Sequence, residues 1–412
     1  MIVLLGLAHA FCGTYVAGAD STIYNRASAV ALVRQDGRTT LSMANDVQGD
    51  FADFALVVPV PTVLTEDDIH VLDGALFDAL DRYSQPRLVE YLCEDFDEAD
   101  ADSDTDSDSD TDTDLDTDSV NVEAEYIVGE YEVVILSAQQ SEGLVQWLNT
   151  NGYAVPETST ALLGEYLDGG SYFFAAKVGT GAGVRPGDTL SPLQVSYETD
   201  VFVLPIRLGT LNSEGVQDLV IYALNEADDG ALGIMNYPEV SVEDNCMAPP
   251  STDFGELVAG LFDDAYASKE GAVWAREYSW SAGKCDPCSG TPPAPVDFAT
   301  LGYDLKDGGS PHFTRLHVRY TPEEAHSDLG LYATKFSYID QLRYIQYNPY
   351  LQDRWPICGQ GWLDDPQTCE DLDPPAARSP TSRCASGPGP AALWLAGLLL
   401  AATLRSSASR GG

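Results

Sequence analysis

The chain has 412 residues, 44% of them hydrophobic, and 65 acidic against 21 basic residues give it a formal net charge of −44. That length and apolar content can bury a large core, in one big domain or two. The charge argues against nucleic acid and against anionic membrane surfaces as partners.

Residues 1–10 read as a signal-peptide remnant: Ile2 to Ala8 is apolar, and Ala8-His9-Ala10 fits the small-x-small cleavage rule. The globular ectodomain is then expected to begin at Phe11, with its first part over residues 11–95. Residues 28–34 and 39–44 are β-prone and joined through Gln35-Asp36-Gly37-Arg38, a strong hairpin signal. The run FALVVPV over 54–60 reads as a buried strand ended by its prolines. Thr65 with Asp68 three residues on suggests a helix start. Ile69, Leu72, Leu76 and Leu80 continue it at helical spacing, and a second short helix is expected over 87–93.

Residues 96–119 form an acidic low-complexity insertion. Twelve acids lie between Asp97 and Asp118, mostly at every second position, too charged and too poor in apolar groups to fold. They interrupt one fold and do not separate two domains. The second part of the ectodomain spans 120–372. It opens on a strand at 131–136, followed by helices over 142–149 (Ser141 as N-cap) and 159–167. Strands are expected at 172–178, 193–197, 201–208 and 218–224. An amphipathic helix over 254–267 follows, with Phe254, Leu257, Val258, Leu261 and Phe262 on one side. Strands at 274–280, 314–320 and 343–347 complete the series. Such uneven clusters predict an α+β fold, with mixed or antiparallel sheets and packed helices. Residues 41–60 resemble 193–206, each a strand, an acidic turn and an apolar run carrying a late proline. An internal duplication and two ordinary hairpins both account for that.

The chain ends in a flexible linker, 373–390, that contains Cys384, and a hydrophobic segment, 391–412, closed by arginines. The apolar run 391–404 covers about 21 Å of the roughly 30 Å a bilayer core requires. It suits a segment held briefly and cut better than a permanent anchor. With Cys384, a Gly/Pro spacer, a Leu/Ala run and trailing arginines, this tail resembles the MYXO-CTERM sorting signal of myxobacterial surface proteins. The resemblance implies that Cys384 is the sorting and anchoring position. The motifs FCGTYVAGAD (11–20), DFALVVPVP (53–61), LPIRLG (204–209), CDPC (285–288) and TRLHVRY (314–320) resemble, together, the domain of unknown function 2330 family in its myxobacterial form. That resemblance implies export and a single-fold organisation, and it supplies no chemistry.

Eight cysteines suit an exported protein. Besides Cys384 the disulfide candidates are Cys12, Cys93, Cys246, Cys285, Cys288, Cys358 and Cys369, an odd number, with Cys358 and Cys369 the nearest local pair. Cys285-x-x-Cys288 is followed by a loop and not by the helix of a redox pair. Zinc would need His312 and His317, which point to opposite faces if they share a strand. A structural disulfide fits these two cysteines best. Arg315, His317 and Arg319 alternate with apolar residues and share one strand face. They face either an external anion or the protein's own acids, and self-pairing is the favoured reading. The Asp-rich tract lacks the glycine turn and spacing of a calcium loop. Gly179-x-Gly181-x-Gly183 reads as a flexible loop. No catalytic residue, metal ligand or cofactor is assigned. The expected protein is exported to the cell envelope, at the outer-membrane surface, and attached to the membrane through a processed C-terminal tail. There it binds a protein or surface ligand or serves a structural role. The alternative is an envelope hydrolase or thiol-dependent enzyme.

Overall fold

A computed structural model describes residues 14–16, 24–48, 55–93, 121–151, 159–178, 190–213, 215–282, 292–305, 309–336 and 340–371. Within these the chain forms β1 (Thr14–Val16), β2 (Tyr24–Gln35), β3 (Arg38–Gln48), β4 (Ala55–Val60), β5 (Ile69–Val71), α1 (Ala75–Ser84) and β6 (Arg87–Val89). Then come β7 (Asn121–Val128), β8 (Tyr131–Ser137), α2 (Ser141–Thr150), α3 (Ser159–Asp168), β9 (Tyr172–Val178), β10 (Leu193–Glu198), β11 (Val203–Leu204) and β12 (Gln217–Asn225). The last elements are β13 (Leu232–Ile234), α4 (Phe254–Ala267), β14 (Val273–Ser281), α5 (Pro295–Thr300), β15 (His312–Tyr320), β16 (Leu329–Ala333), β17 (Asp340–Gln341) and β18 (Arg343–Ile345).

The strands make an eight-stranded sheet, β17-β14-β15-β12-β2-β3-β10-β5, and a five-stranded sheet, β1-β4-β9-β8-β7. A three-stranded sheet, β11-β16-β13, and the pair β18-β6 complete the set. Neighbours are antiparallel except β12 with β2 and β18 with β6. The fold is thus sheet-rich α+β. Its central core lies between the two large sheets. Val30, Leu41, Val195, Ile221, Leu316 and Val318 of the larger sheet meet Leu56, Val58, Val133, Ile135 and Phe174 of the smaller. Strand alternation then sends the intervening residues to the outer faces. On the larger sheet Val33, Tyr222, Tyr278 and Phe313 pack under Leu76, Phe77, Leu80 and Tyr83 of α1 and Phe298 of α5. On the smaller one Val57, Leu136, Phe173 and Ala175 pack under Leu144 and Leu148 of α2 and Leu163 of α3. Leu261, Phe262 and Ala265 of α4 pack on Val273 and Ala275.

Local chemistry explains most elements. The β2–β3 turn holds Asp36 at φ 51° and Gly37 at φ 77°, the left-handed pair that a two-residue hairpin of this twist requires. Helix α4 begins where the Asp253 side chain accepts from the Glu256 N–H. Helix α3 ends where Gly170, at φ 79°, lets Ser171 N–H reach the Tyr166 carbonyl.

Three expectations need correction. The helix expected from Thr65 is one 3₁₀ turn, Glu66–Asp68, inside the Thr65/Asp68 capping box. Ile69–Val71 then pairs with β10, and the helix restarts only at Ala75, where the Asp73 carboxylate accepts from the Ala75 N–H. The β-branched Ile69 and Val71 favour a pleated, half-buried edge. Residues 87–93 hold β6, parallel to β18, where a helix was expected. The extended Gln85 before Pro86 ends α1 and aims the chain at β18. Residues 201–208 are not one buried strand. Only Val203–Leu204 pairs, Val201 is 65% exposed, and after Pro205 the chain coils into a 3₁₀ turn over Arg207–Asn212. Leu204, Ile206 and Leu208 are nevertheless fully buried. Of the two similar segments, β3 and β10 are antiparallel neighbours in one sheet, whereas β4 and β11 belong to different sheets. No helix among the described residues is long and apolar enough to cross a membrane. The signal-peptide remnant, Cys12, the acidic insertion, the 179–183 loop, Cys285, Cys288, Cys384 and the 391–404 run all lie outside the described residues.

Candidate functional site

Strand β15 sends Leu316, Val318 and Tyr320 into the core between the sheets. Arg315, His317 and Arg319 therefore project to the opposite face, beneath α1 and α4. Burying a charge there is costly unless it is paired, and four carboxylates supply the pairing. Arg315 Nε donates to Glu277 Oε2 at 2.5 Å and its Nη1 to Asp81 Oδ1 at 2.6 Å. His317 Nδ1 lies 2.9 Å from Glu277 Oε1, and its Nε2 lies 2.8 Å from Asp218 Oδ1. Arg319 Nε and Nη2 donate to Asp218 Oδ1 and Oδ2 at 2.7 and 3.0 Å, and Nη1 donates to Asp263. The result is a ladder of alternating charge, Asp81–Arg315–Glu277–His317–Asp218–Arg319–Asp263. Its middle is buried and its two ends are open: the Glu277 side chain is 3% exposed, that of Asp263 64%.

Each rung has a local cause. Asp218 stands opposite Arg319 in the β12–β15 register. Glu277 occupies a β-bulge in β14, because Arg276 pairs with Leu316 and Tyr278 already with Arg315. The extra residue re-aims the strand. It places Glu277 on the helix-covered face directly before Tyr278, which faces the same way. Asp81 comes from α1 and also accepts from Tyr222 Oη at 3.0 Å. Asp263 comes from α4, whose Phe262 ring stacks on His317 at 3.9 Å between centroids and lies 4.7 Å under the Arg319 guanidinium. Aromatic faces complement the cations on the side that carboxylates do not reach.

The electrostatics follow from this geometry. Burial by itself would lower the His317 pKa, but Glu277 and Asp218 override it and raise it to about 9, so the ring is an imidazolium at neutral pH. Burial would raise Glu277 and Asp218. The adjacent Arg315 and His317 hold the former at about 2, and His317 with Arg319 hold the latter at about 2. Against the burial penalty, Glu277 raises Arg315, and Asp218 raises Arg319. With both ring nitrogens engaged and both guanidinium groups on carboxylates, the ladder presents a closed charge network. The anions that Arg315, His317 and Arg319 face here are side chains of the protein itself. Among the described residues no cluster of His, Cys, Asp and Glu is placed to hold a metal ion. His312 lies on the core side of the same strand, with its Nε2 at 2.8 Å from Ser279 Oγ.

Among the described residues the cysteines form two disulfides, Cys93–Cys369 and Cys246–Cys358, with Cα separations of 5.4 and 5.0 Å. The local pairing of Cys358 with Cys369 is thereby overturned. Cys358 is drawn to Cys246 because its N–H donates to the Met247 carbonyl, and the β6–β18 pair brings Cys93 toward the C-terminal segment.

Residues 7–332 match the family described as uncharacterized proteins conserved in bacteria, DUF2330. The chain belongs to this family. All seven ladder residues lie inside the DUF2330 segment. Each disulfide joins a cysteine within the DUF2330 segment to one beyond it, so the two bonds fasten the C-terminal segment to the family fold. A search of curated proteins and a search of solved structures each found no match.

The carboxylate partners were not singled out by sequence reasoning. Asp81, Asp218, Glu277 and Asp263 are four among 65 acids. The available signal was the strand itself: three cations at alternate positions of a strand in a folded protein require carboxylates on the facing elements.

Proposed function

We propose that this DUF2330 protein is exported to the cell envelope, held at the outer-membrane surface through its C-terminal segment, and acts there as a binding or structural protein. The observation that carries the reading is the pair of disulfides, closing separations of 276 and 112 residues. Bonds of that kind persist in oxidising compartments and are rare in the cytosol. The C-terminal sequence supports attachment, with Cys384 ahead of a Gly/Pro spacer, an apolar run and trailing arginines. In this reading the tail is cut near Cys384 and the mature protein keeps the disulfide-fastened fold at the surface.

The test is fractionation of cells that make the protein, with free thiols alkylated before lysis and the C-terminal peptide identified by mass spectrometry. The reading expects the protein in the envelope fraction, Cys93, Cys246, Cys358 and Cys369 protected from alkylation, and a mature end near Cys384. A cytosolic protein with those four cysteines alkylated would overturn export. An intact C-terminus reaching Arg405 on surface protein would overturn processing.

A further inference from the structure

The outer face of the five-stranded sheet is only partly covered. Two rows of side chains cross it side by side: Glu125, Val134 and Ala175 in one, Ile127, Glu132 and Lys177 in the next. Helix α2 stands over the first row through Trp147 and stops at Asn151. Beside its last turn lies an open cleft of about 410 Å³. Val134 and Ala175 form an apolar floor, and Trp147 and Ile127 form the walls. Ile127 is 79% exposed, unusual for a residue of its size on an edge strand, and it points into this cleft region without a covering element among the described residues.

The charges around the cleft are unbalanced. Among the described residues that line the cleft Lys177 is the one cation, and it is already paired with Glu132 at 3.0 Å. The Glu125 side chain makes no hydrogen bond or ion pair with any described residue, and it is exposed where it lines the cleft. The C-terminal end of α2 carries no basic residue in its last turn and adds the partial negative charge of the helix dipole, although the Asn151 N–H already caps the Trp147, Leu148 and Asn149 carbonyls. A carboxylate, a helix C-terminus and an indole around an apolar floor are a complementary set for an organic cation. The volume falls within the range of small-molecule sites.

We infer that this cleft binds an alkylammonium ion: the ammonium group lies between Glu125 and the end of α2 against Trp147, and its hydrocarbon body lies on Val134 and Ala175 beside Ile127. The inference goes beyond the proposed function by naming a ligand class, and it holds for the isolated protein whether or not the chain is exported.

Calorimetry on the purified, oxidised full chain tests it, with pentylammonium, 1-pentanol and pentanoate as probes in about 0.15 M salt to screen diffuse attraction to the acidic surface. One saturable site for pentylammonium is expected, with a Kd on the order of 1 mM for so small a ligand. Pentanol should bind at least about tenfold more weakly, and pentanoate more weakly still. Glu125→Gln, a change on an exposed rim, should weaken pentylammonium about three- to tenfold with the melting temperature unchanged. Trp147→Phe should weaken it less, because a smaller ring face remains. Absence of saturable binding, equal binding of pentanol and pentylammonium, or full retention of affinity in Glu125→Gln would each overturn the inference. None of these outcomes bears on the thiol and fractionation results that test export.

Discussion

The two faces of β15 solve the same burial problem in opposite ways. Leu316, Val318 and Tyr320 are buried against a second sheet and need only shape and area. Arg315 and Arg319, one residue out of step, are 7% and 5% exposed and lie under two helices. They need partners, which arrive from α1, β12, the β14 bulge and α4. The apolar face gains from removal of its surface from water at roughly 25 cal/mol per Å². The charged face gains little net energy from being buried, but breaking it at one point is costly. Charged alternation along a strand therefore does not by itself indicate a solvent-facing surface.

Removing one central carboxylate should separate the two faces most strongly. Glu277→Ala takes one of two carboxylate partners from both Arg315 and His317, leaving Asp81 and Asp218 to hold them, and is expected to cost about 3–5 kcal/mol in denaturant unfolding. Leu316→Ala on the core face falls in a similar range of about 2–5 kcal/mol, but from a cavity. The two are told apart by pH. The folded His317 pKa of about 9 lies above its unfolded value of 6.5, so its stabilisation is complete below pH 6.5 and is lost as pH rises through 9. That shift corresponds to about 3 kcal/mol. Glu277 and Asp218, both held at about 2, stabilise above their unfolded values of 4.5 and 3.8 and lose that contribution as pH falls toward 2. Stability should therefore have its plateau at about pH 4.5–6.5. His317→Gln should flatten the alkaline slope, and Leu316→Ala should lower the whole curve without changing its shape. A double-mutant cycle between Glu277→Gln and His317→Gln should return a coupling of about 1–3 kcal/mol, where Leu316 with His317 should be near additive. The smallest effect belongs to the open end of the ladder: Asp263→Asn should cost under about 1 kcal/mol in thermal unfolding, because its carboxylate is solvated.

Much of this fold was legible in the chain. The Asp36-Gly37 hairpin, the buried strand over Ala55–Val60 and the apolar stripe of α4 carry strong local signals, and the structure places them where those signals point. Short edge elements were not legible. Ile69, Leu72, Leu76 and Leu80 keep helical spacing, yet the first of them lies in β5, because pairing with β10 outweighs periodicity over a few residues. Strand β7 is absent from the expected series, because Glu123 and Glu125 on its outer face dilute its apolar signal. For the ladder, the three cations were visible and the four anions were not. Glu277 owes its position to a bulge, and Asp81 and Asp263 owe theirs to helix docking, neither of which leaves a mark in local sequence. The disulfide partners were hidden for the same reason: they are set by the β6–β18 pairing and the contacts of Met247, not by loop length.

His317 is an imidazolium closed between two carboxylates. Nuclear magnetic resonance of the ring nitrogens of His317, assigned by comparison with His317→Gln, tests it most directly. The structure predicts that both nitrogens are protonated at pH 7.5, with a single titration near pH 9 that is unmoved by added sulfate. A ring that is neutral at pH 7.5 and titrates near 6.5, or one whose signals shift on adding sulfate, would contradict the closed ladder and show a face open to external anions.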